Sequence, residues 1–229
     1  MNIHITKNQH EYLQTLVKET HTIGSKLYGT DNENSDTDLL CIYKIEDEFI
    51  ENHLSRLPSF HQFQFKDVEN NNDYIYTTKN QFFMNQSSGD STINSDLLMF
   101  RNDFELDLAL NFCYTYKVIK GYLGFAKRDL KQYKEGKHKL IHAMRGLYCA
   151  ESLMNKNIPS LEHIRSIYHI ELNVHELLDL ETYLRQGLAK MLQDGEINQY
   201  HVPQVFGKND PEYVFQLLLN SNNTTEFKY

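Results

Sequence analysis

The chain has 229 residues, 40% of them hydrophobic and 24% charged, with only 4 prolines and 10 glycines, which argues against a long disordered linker and for a compact globular protein. A formal net charge of -8 speaks against indiscriminate long-range attraction to polyphosphate. The charge is unevenly spread: between Lys117 and Arg145 nine basic residues face only Asp129 and Glu135, so one segment is basic on an acidic protein.

No stretch approaches the length of a membrane span, and the opening MNIHITKNQHEYLQTLV lacks the basic start, apolar run and small-residue cleavage site of a leader. The expected setting is cytoplasmic, with no membrane partner. Cys41, Cys113 and Cys149 lie far apart among apolar neighbours and read as reduced core residues.

In chain order, Tyr12, Leu13, Leu16 and Val17 fall at helical spacing, which predicts a helix from about Lys7 to Thr20. The short run His21-Thr22-Ile23 then reads as a strand that ends in the turn Gly24-Ser25. Asp38 to Lys44 is a near-continuous apolar run of strand length behind the turn-rich stretch from Thr30 to Ser35, and should be a buried central strand. Phe60 to Lys66 alternates aromatic and polar residues, Asp73 to Thr78 is aromatic and β-branched, and Asn70 to Asn72 between them reads as a hairpin turn.

Helical patterning follows from Lys79 to Phe100, with a loop expected at Ser87 to Asp90. A long proline-free helical stretch is expected from Asn102 to about Tyr133, and a second from Lys137 to about Lys156, as an antiparallel pair. Val174 to Asp194 supplies Leu177, Leu178, Leu184, Leu188 and Leu192 to one further helix, and Pro211 to Leu219 a shorter one.

The chemistry is concentrated between Gly24 and Ile42. Gly24 permits close backbone approach where a short strand meets a helix start, and Ser25 offers a hydroxyl and an N–H at a positive helix end, which suits phosphate oxygens. Asp36 and Asp38 are two residues apart at a strand entry, so both carboxylates point to one face and can share hard cations. A phosphate cradle beside a divalent-metal site suits in-line attack on an α-phosphate, with two Mg²⁺ ions about 3.5–4 Å apart.

This stretch, GSKLYGT followed by SDTDLL, resembles the signature of the DNA polymerase beta nucleotidyltransferase superfamily, and is most similar to the nucleotidyltransferases associated with RNA repair. The likeness extends into Lys120 to Arg128 and Lys139 to Arg145. It implies an α+β fold: a small mixed β-sheet core with flanking helices over residues 1–101, then a C-terminal helical domain over residues 102–229 that closes the nucleotide cleft.

It further implies that Gly24, Ser25, Lys26, Tyr28 and Ser35 meet the nucleotide, and that Asp36 and Asp38 hold Mg²⁺ or Mn²⁺. Asp73 is the candidate third carboxylate, orienting or deprotonating the acceptor; read from the residues alone, it is equally a turn residue that opens a strand. The Arg-Lys pair expected of the family after this strand is replaced by Asn80-Gln81.

His138, His142 and Arg145 share a helical face with Lys139 on its flank. The resemblance gives Lys139, His142 and Arg145 contacts with nucleotide phosphates or ribose; otherwise this is a solvated face. The His138/His142 spacing also fits a zinc-binding helix pair, but no third ligand accompanies it. Tyr114, Tyr116, Tyr122 and Tyr133 among the cations could stack on bases or pack as core.

The activity implied is transfer of a nucleoside monophosphate from an NTP to an acceptor hydroxyl, releasing pyrophosphate, with an RNA or tRNA 3′ end as the favoured acceptor. Three alternatives remain: a protein hydroxyl, as in an antitoxin-type AMP-transferase; a small molecule such as an aminoglycoside; or a catalytically silent nucleotide-binding module.

Overall fold

The computed structural model describes residues 3–46, 62–89, 92–100, 110, 112–133 and 137–199, and among these it contains a five-stranded mixed sheet and eight helices. The strands are β1 (Ile3–His4), β2 (Val17–Ile23), β3 (Thr37–Tyr43), β4 (Phe63–Asp67) and β5 (Asn72–Thr78). The helices are α1 (Lys7–Leu16), α2 (Gly24–Tyr28), α3 (Lys79–Ser88), α4 (Thr92–Phe100), α5 (Tyr116–Lys131), α6 (Lys137–Met154), α7 (Leu161–Ile167) and α8 (Val174–Gln193). The helix expected at Pro211–Leu219, the strand start at Phe60 and most of the stretch from Asn102 to Asn111 lie outside the described residues.

The strand order is β1-β4-β5-β3-β2. β5 runs parallel to β3, and β1 to β4, while β2/β3 and β4/β5 are antiparallel pairs. The run read as a central strand is therefore interior, flanked by β5 and β2, and β5 occupies the centre. The β4–β5 turn is the hairpin expected at Asn70 to Asn72, with Asn71 in the left-handed region at φ 52°.

Side chains on a strand alternate between faces, and β3 uses both. Leu40 and Ile42 enter the larger core with Ile23, Leu123, Leu147 and Leu188, whereas Cys41 and Tyr43 join Leu13 and Tyr76 beneath α1. Each such buried aliphatic side chain contributes about 1.5–3 kcal/mol. The larger core runs without a break from the sheet through α4, α5, α6 and α8, so residues on both sides of position 101 share it.

Three elements differ from expectation. α1 stops at Leu16 rather than near Thr20, because Val17 to Ile23 is drawn into the ladder with β3, where its β-branched residues sit well on a pleated surface. The helix expected to run unbroken to Tyr133 is interrupted at Thr115, which is extended and caps α5 by accepting a hydrogen bond from Val118 N. Two first-turn amides of α5, Tyr116 N and Lys117 N, donate instead to the carbonyls of Asn198 and Gln199. The third is α7, which sequence periodicity did not suggest and which starts at Ser160, whose hydroxyl accepts from His163 N.

α5 and α6 pack antiparallel, Tyr122 meeting Gly146 and Asp129 meeting His142. In α8, Leu177, Leu184 and Leu188 are buried, but Leu178 faces outward. The three cysteines are free and buried.

Candidate active site

Strand register assembles the site. Ile23 pairs with Asp38 across β2/β3, Asp38 with Asp73 across β3/β5, and Asp73 with Lys66 across β5/β4. One transverse row of the sheet thus carries Asp38, Asp73 and Lys66 on neighbouring strands. By the two-residue period, Asp38 shares a face with Leu40 and Ile42, and Asp73 with Ile75, all directed toward the helices. Asp36, just before β3, joins them: one carboxylate oxygen from each of Asp36, Asp38 and Asp73 lies within 4.8 Å of the others. Asp73 lies within β5, paired with Asp38, rather than in the turn before it.

Electrostatically the cluster is short of positive charge. Burial, then the charges of Asp36 and Asp73, push the Asp38 carboxyl up to about 6, with Lys66 acting in the opposite direction. Asp73 Oδ1 is buried and accepts no hydrogen bond from the described residues. The compensating charge is the exposed Lys66 ammonium, 3.2 Å from Asp73 Oδ2 and 3.7 Å from Asp36 Oδ2. Three hard oxygen donors this close together fit a divalent cation such as Mg²⁺ or Mn²⁺.

At the end of β2 the chain turns into α2 through Gly24, whose φ is +67°. A Cβ there would stand 2.1 Å from Asp38 Oδ2, so only glycine lets this turn lie against the carboxylate. Gly29 closes the other end of α2 at φ +66°, where the Arg165 side chain fills the space beside its Cα and donates from Nε to Tyr28 O at 2.9 Å. Arg165 thereby ties α7 to the C-terminal end of α2, the helix that Gly24 and Ser25 open.

Beside Asp38 opens a cavity of about 170 Å³, bounded by Gly24, Leu27 and Tyr28 on one side, Ile75 on the sheet, and Ile93, Asp96, Phe125 and Arg145 on the helices. Its walls come from both sides of position 101. The Arg145 guanidinium lies 4.2 Å above the centre of the Tyr28 ring.

The remaining candidates are placed unevenly. Ser25 sits in the first turn of α2, its carbonyl accepting from Thr30 N. Lys26 reaches from α2 to Thr37 at the start of β3, Nζ donating to Oγ1 at 2.5 Å. Ser35 is engaged in its own loop, its hydroxyl accepting from Asn32 N. Tyr28 is buried, and its hydroxyl donates to Asp96.

Of the helical trio, Arg145 alone lines the cavity; His142 lies 3.9 Å from the buried Asp129 carboxylate, and Lys139 is partly exposed away from the cavity wall. The side chain of His138 lies outside the described residues. Tyr122 is core, donating to Asp96, while Tyr133 is exposed.

Sequence reasoning missed Lys66 and Asp96. Lys66 was visible as the one cation in an alternating strand, but its target depended on register. Asp96 stood as a lone acid directly before the apolar run Leu97 to Phe100, a pattern that marks a buried charge in need of partners.

No protein-family model and no curated protein matches the chain.

Proposed function

We propose that this protein is a divalent-metal-dependent nucleotidyltransferase, moving a nucleoside monophosphate from an NTP to an acceptor hydroxyl. The observation that carries this reading is the convergence of Asp36, Asp38 and Asp73 within 4.8 Å, against a turn at Gly24 that tolerates no side chain. Asp36, Asp38 and Asp73 are the residues that would hold Mg²⁺ or Mn²⁺, which supplies neutralising charge for the phosphates and an acidified acceptor hydroxyl. The acceptor oxygen bonds to the α-phosphorus, the bond to the pyrophosphate oxygen breaks, and the hydroxyl proton passes to a carboxylate, the role this reading gives to Asp73.

Gly24 and Ser25 line the approach for the triphosphate, and Arg145 brings positive charge to the cavity that Gly24 and Asp38 also line. An RNA or tRNA end is the preferred acceptor, supported by the exposed Lys120, Lys127, Arg128 and Lys131 on the outward face of α5. The setting proposed is cytoplasmic; no described helix is long and apolar enough to cross a membrane. One observation favours a second reading, a nucleotide-binding module without transfer: Lys66 already bridges two of the three carboxylates.

The deciding measurement is pyrophosphate release from each NTP, ATP first, with Mg²⁺ and a pool of small RNAs, compared with Asp36→Ala/Asp38→Ala. Release that needs both carboxylates supports the transferase. Bound nucleotide with no release from any acceptor, including candidate proteins screened for a gain of AMP mass, supports the silent module.

A further inference from the structure

Four elements converge behind the cavity on one buried carboxylate. Asp96 of α4 is 6% exposed and accepts hydrogen bonds from the hydroxyls of Tyr28 in α2 and Tyr122 in α5, the latter at 2.6 Å. Two phenols donating to the same carboxyl group leave it as acceptor only, the arrangement of an ionised carboxylate. Burial pushes this carboxyl up, while Arg145 and the two hydroxyls pull it back. The ring of Tyr28 then supports the Arg145 guanidinium of α6 at 4.2 Å.

Arg145 itself is incomplete. Among the described residues no hydrogen-bond acceptor or ion-pair partner reaches its guanidinium, and none of its nitrogens is sealed from open space. A partly buried guanidinium offers five N–H donors in a fixed fork matched to phosphate oxygens, and that of Arg145 opens onto the cavity. An anion entering the cavity beside Asp38 would meet them. The carboxylate at the hydroxyl end of Tyr28 raises the electron density of the ring and so strengthens its hold on the cation above it.

We propose that Asp96 is a positioning residue for phosphate binding: through the hydroxyl and ring of Tyr28 it holds the Arg145 guanidinium on the wall of the cavity that Asp38 lines, ready for a phosphate of the nucleotide. This rests on the nucleotidyltransferase reading of the same cavity. Asp96 need not touch the ligand; its action passes through Arg145.

A double-mutant cycle tests it, read by calorimetric titration of the full chain with ATP in Mg²⁺ at fixed salt. Arg145→Gln is expected to weaken binding about tenfold or more, and Asp96→Asn and Tyr28→Phe each about three- to tenfold in the native background. In the Arg145→Gln background neither should cost anything further.

Equal losses in both backgrounds would show that Asp96 acts through packing alone and overturn the proposal. Should Asp96→Asn fail to fold, Tyr28→Phe carries the same test, since it keeps the ring and removes only the hydroxyl. Native protein that binds ATP with no loss on Arg145→Gln defeats the positioning role while leaving the transferase reading intact; native protein that binds no nucleotide defeats both.

Discussion

Gly24 combines a left-handed backbone with a neighbouring carboxylate, and the two constraints act on different quantities. Placing any other residue at φ +67° costs about 1–2 kcal/mol of folding stability. The methyl group of Gly24→Ala would also displace Asp38 Oδ2, which stands 2.1 Å from where it must go. On the proposed metal-dependent transferase reading, a variant that still folds, with a modest loss in urea midpoint, is expected to lose transfer activity and Mn²⁺ affinity by roughly 100-fold, at the upper end for disturbed metal-site partners. Near-native Mn²⁺ affinity in Gly24→Ala would contradict the close approach.

Asp38 gives the site a pH dependence whose sign follows from its raised pKa. A carboxyl at about 6 in the fold, against ~3.9 unfolded, binds its proton more tightly when folded. The stability it contributes is complete below about pH 4 and is lost as the pH rises through about 6. The metal-free protein should accordingly lose melting temperature between about pH 4 and pH 6, while the rise in melting temperature produced by Mg²⁺ grows over the same interval. Asp38→Asn should flatten both trends. A metal-induced rise that does not change across that window would remove Asp38 from the ligand set.

At the scale of elements, the α5–α6 pair is the scaffold that brings Phe125 and Arg145 to the cavity. Its tightness comes from small residues, Ala126, Ala143 and Ala150, all fully buried, with Leu123 and Leu147 filling the remaining space. Leu147→Ala should cost about 2–5 kcal/mol, the range for a methyl-rich side chain removed from a close-packed interior. Tyr183→Ala on α8, where this residue is 71% exposed, should stay within about 0.5 kcal/mol. Urea denaturation of both variants checks the contrast; equal effects would mean that the α5–α6 contact is not packed as described.

Element types were legible wherever a local rule had no rival. The Asn70-Asn72 turn, the aromatic alternation of β4 and the apolar run of β3 announced themselves by period and turn chemistry. Boundaries were less legible. Val17 to Thr20 continues a helical pattern, yet pairing with β3 claims it for a strand; Thr115 lies in a proline-free stretch, yet its side chain caps a new helix once Asn198 and Gln199 come alongside. In both cases a partner distant in sequence decided the outcome.

Taken whole, the molecule has one principal core that crosses the sheet–helix boundary. Ile23, Leu40 and Ile42 from the sheet share it with Leu123, Leu147 and Leu188 from the helices. Far-UV circular dichroism and tyrosine fluorescence should therefore report one coincident urea transition, and a fragment ending at residue 101 should not fold alone, because it would expose that face of the sheet. Two separated midpoints would show that the parts are independent.

The sequence by itself determined the elements of the site that lie close together along the chain: the glycine turn, the Asp36/Asp38 pair with its shared face, and the strand that presents them. Those follow from backbone sterics and a two-residue period, which act over a few residues. Only the tertiary structure decided that Asp73 completes the acidic cluster, that Lys66 bridges two of its three carboxylates, and that Arg145 rather than His142 or Lys139 faces the cavity, above a tyrosine held by Asp96. These depend on strand register and helix packing between segments tens of residues apart. A shift of one residue in the β3/β5 register would turn Asp73 to the opposite face.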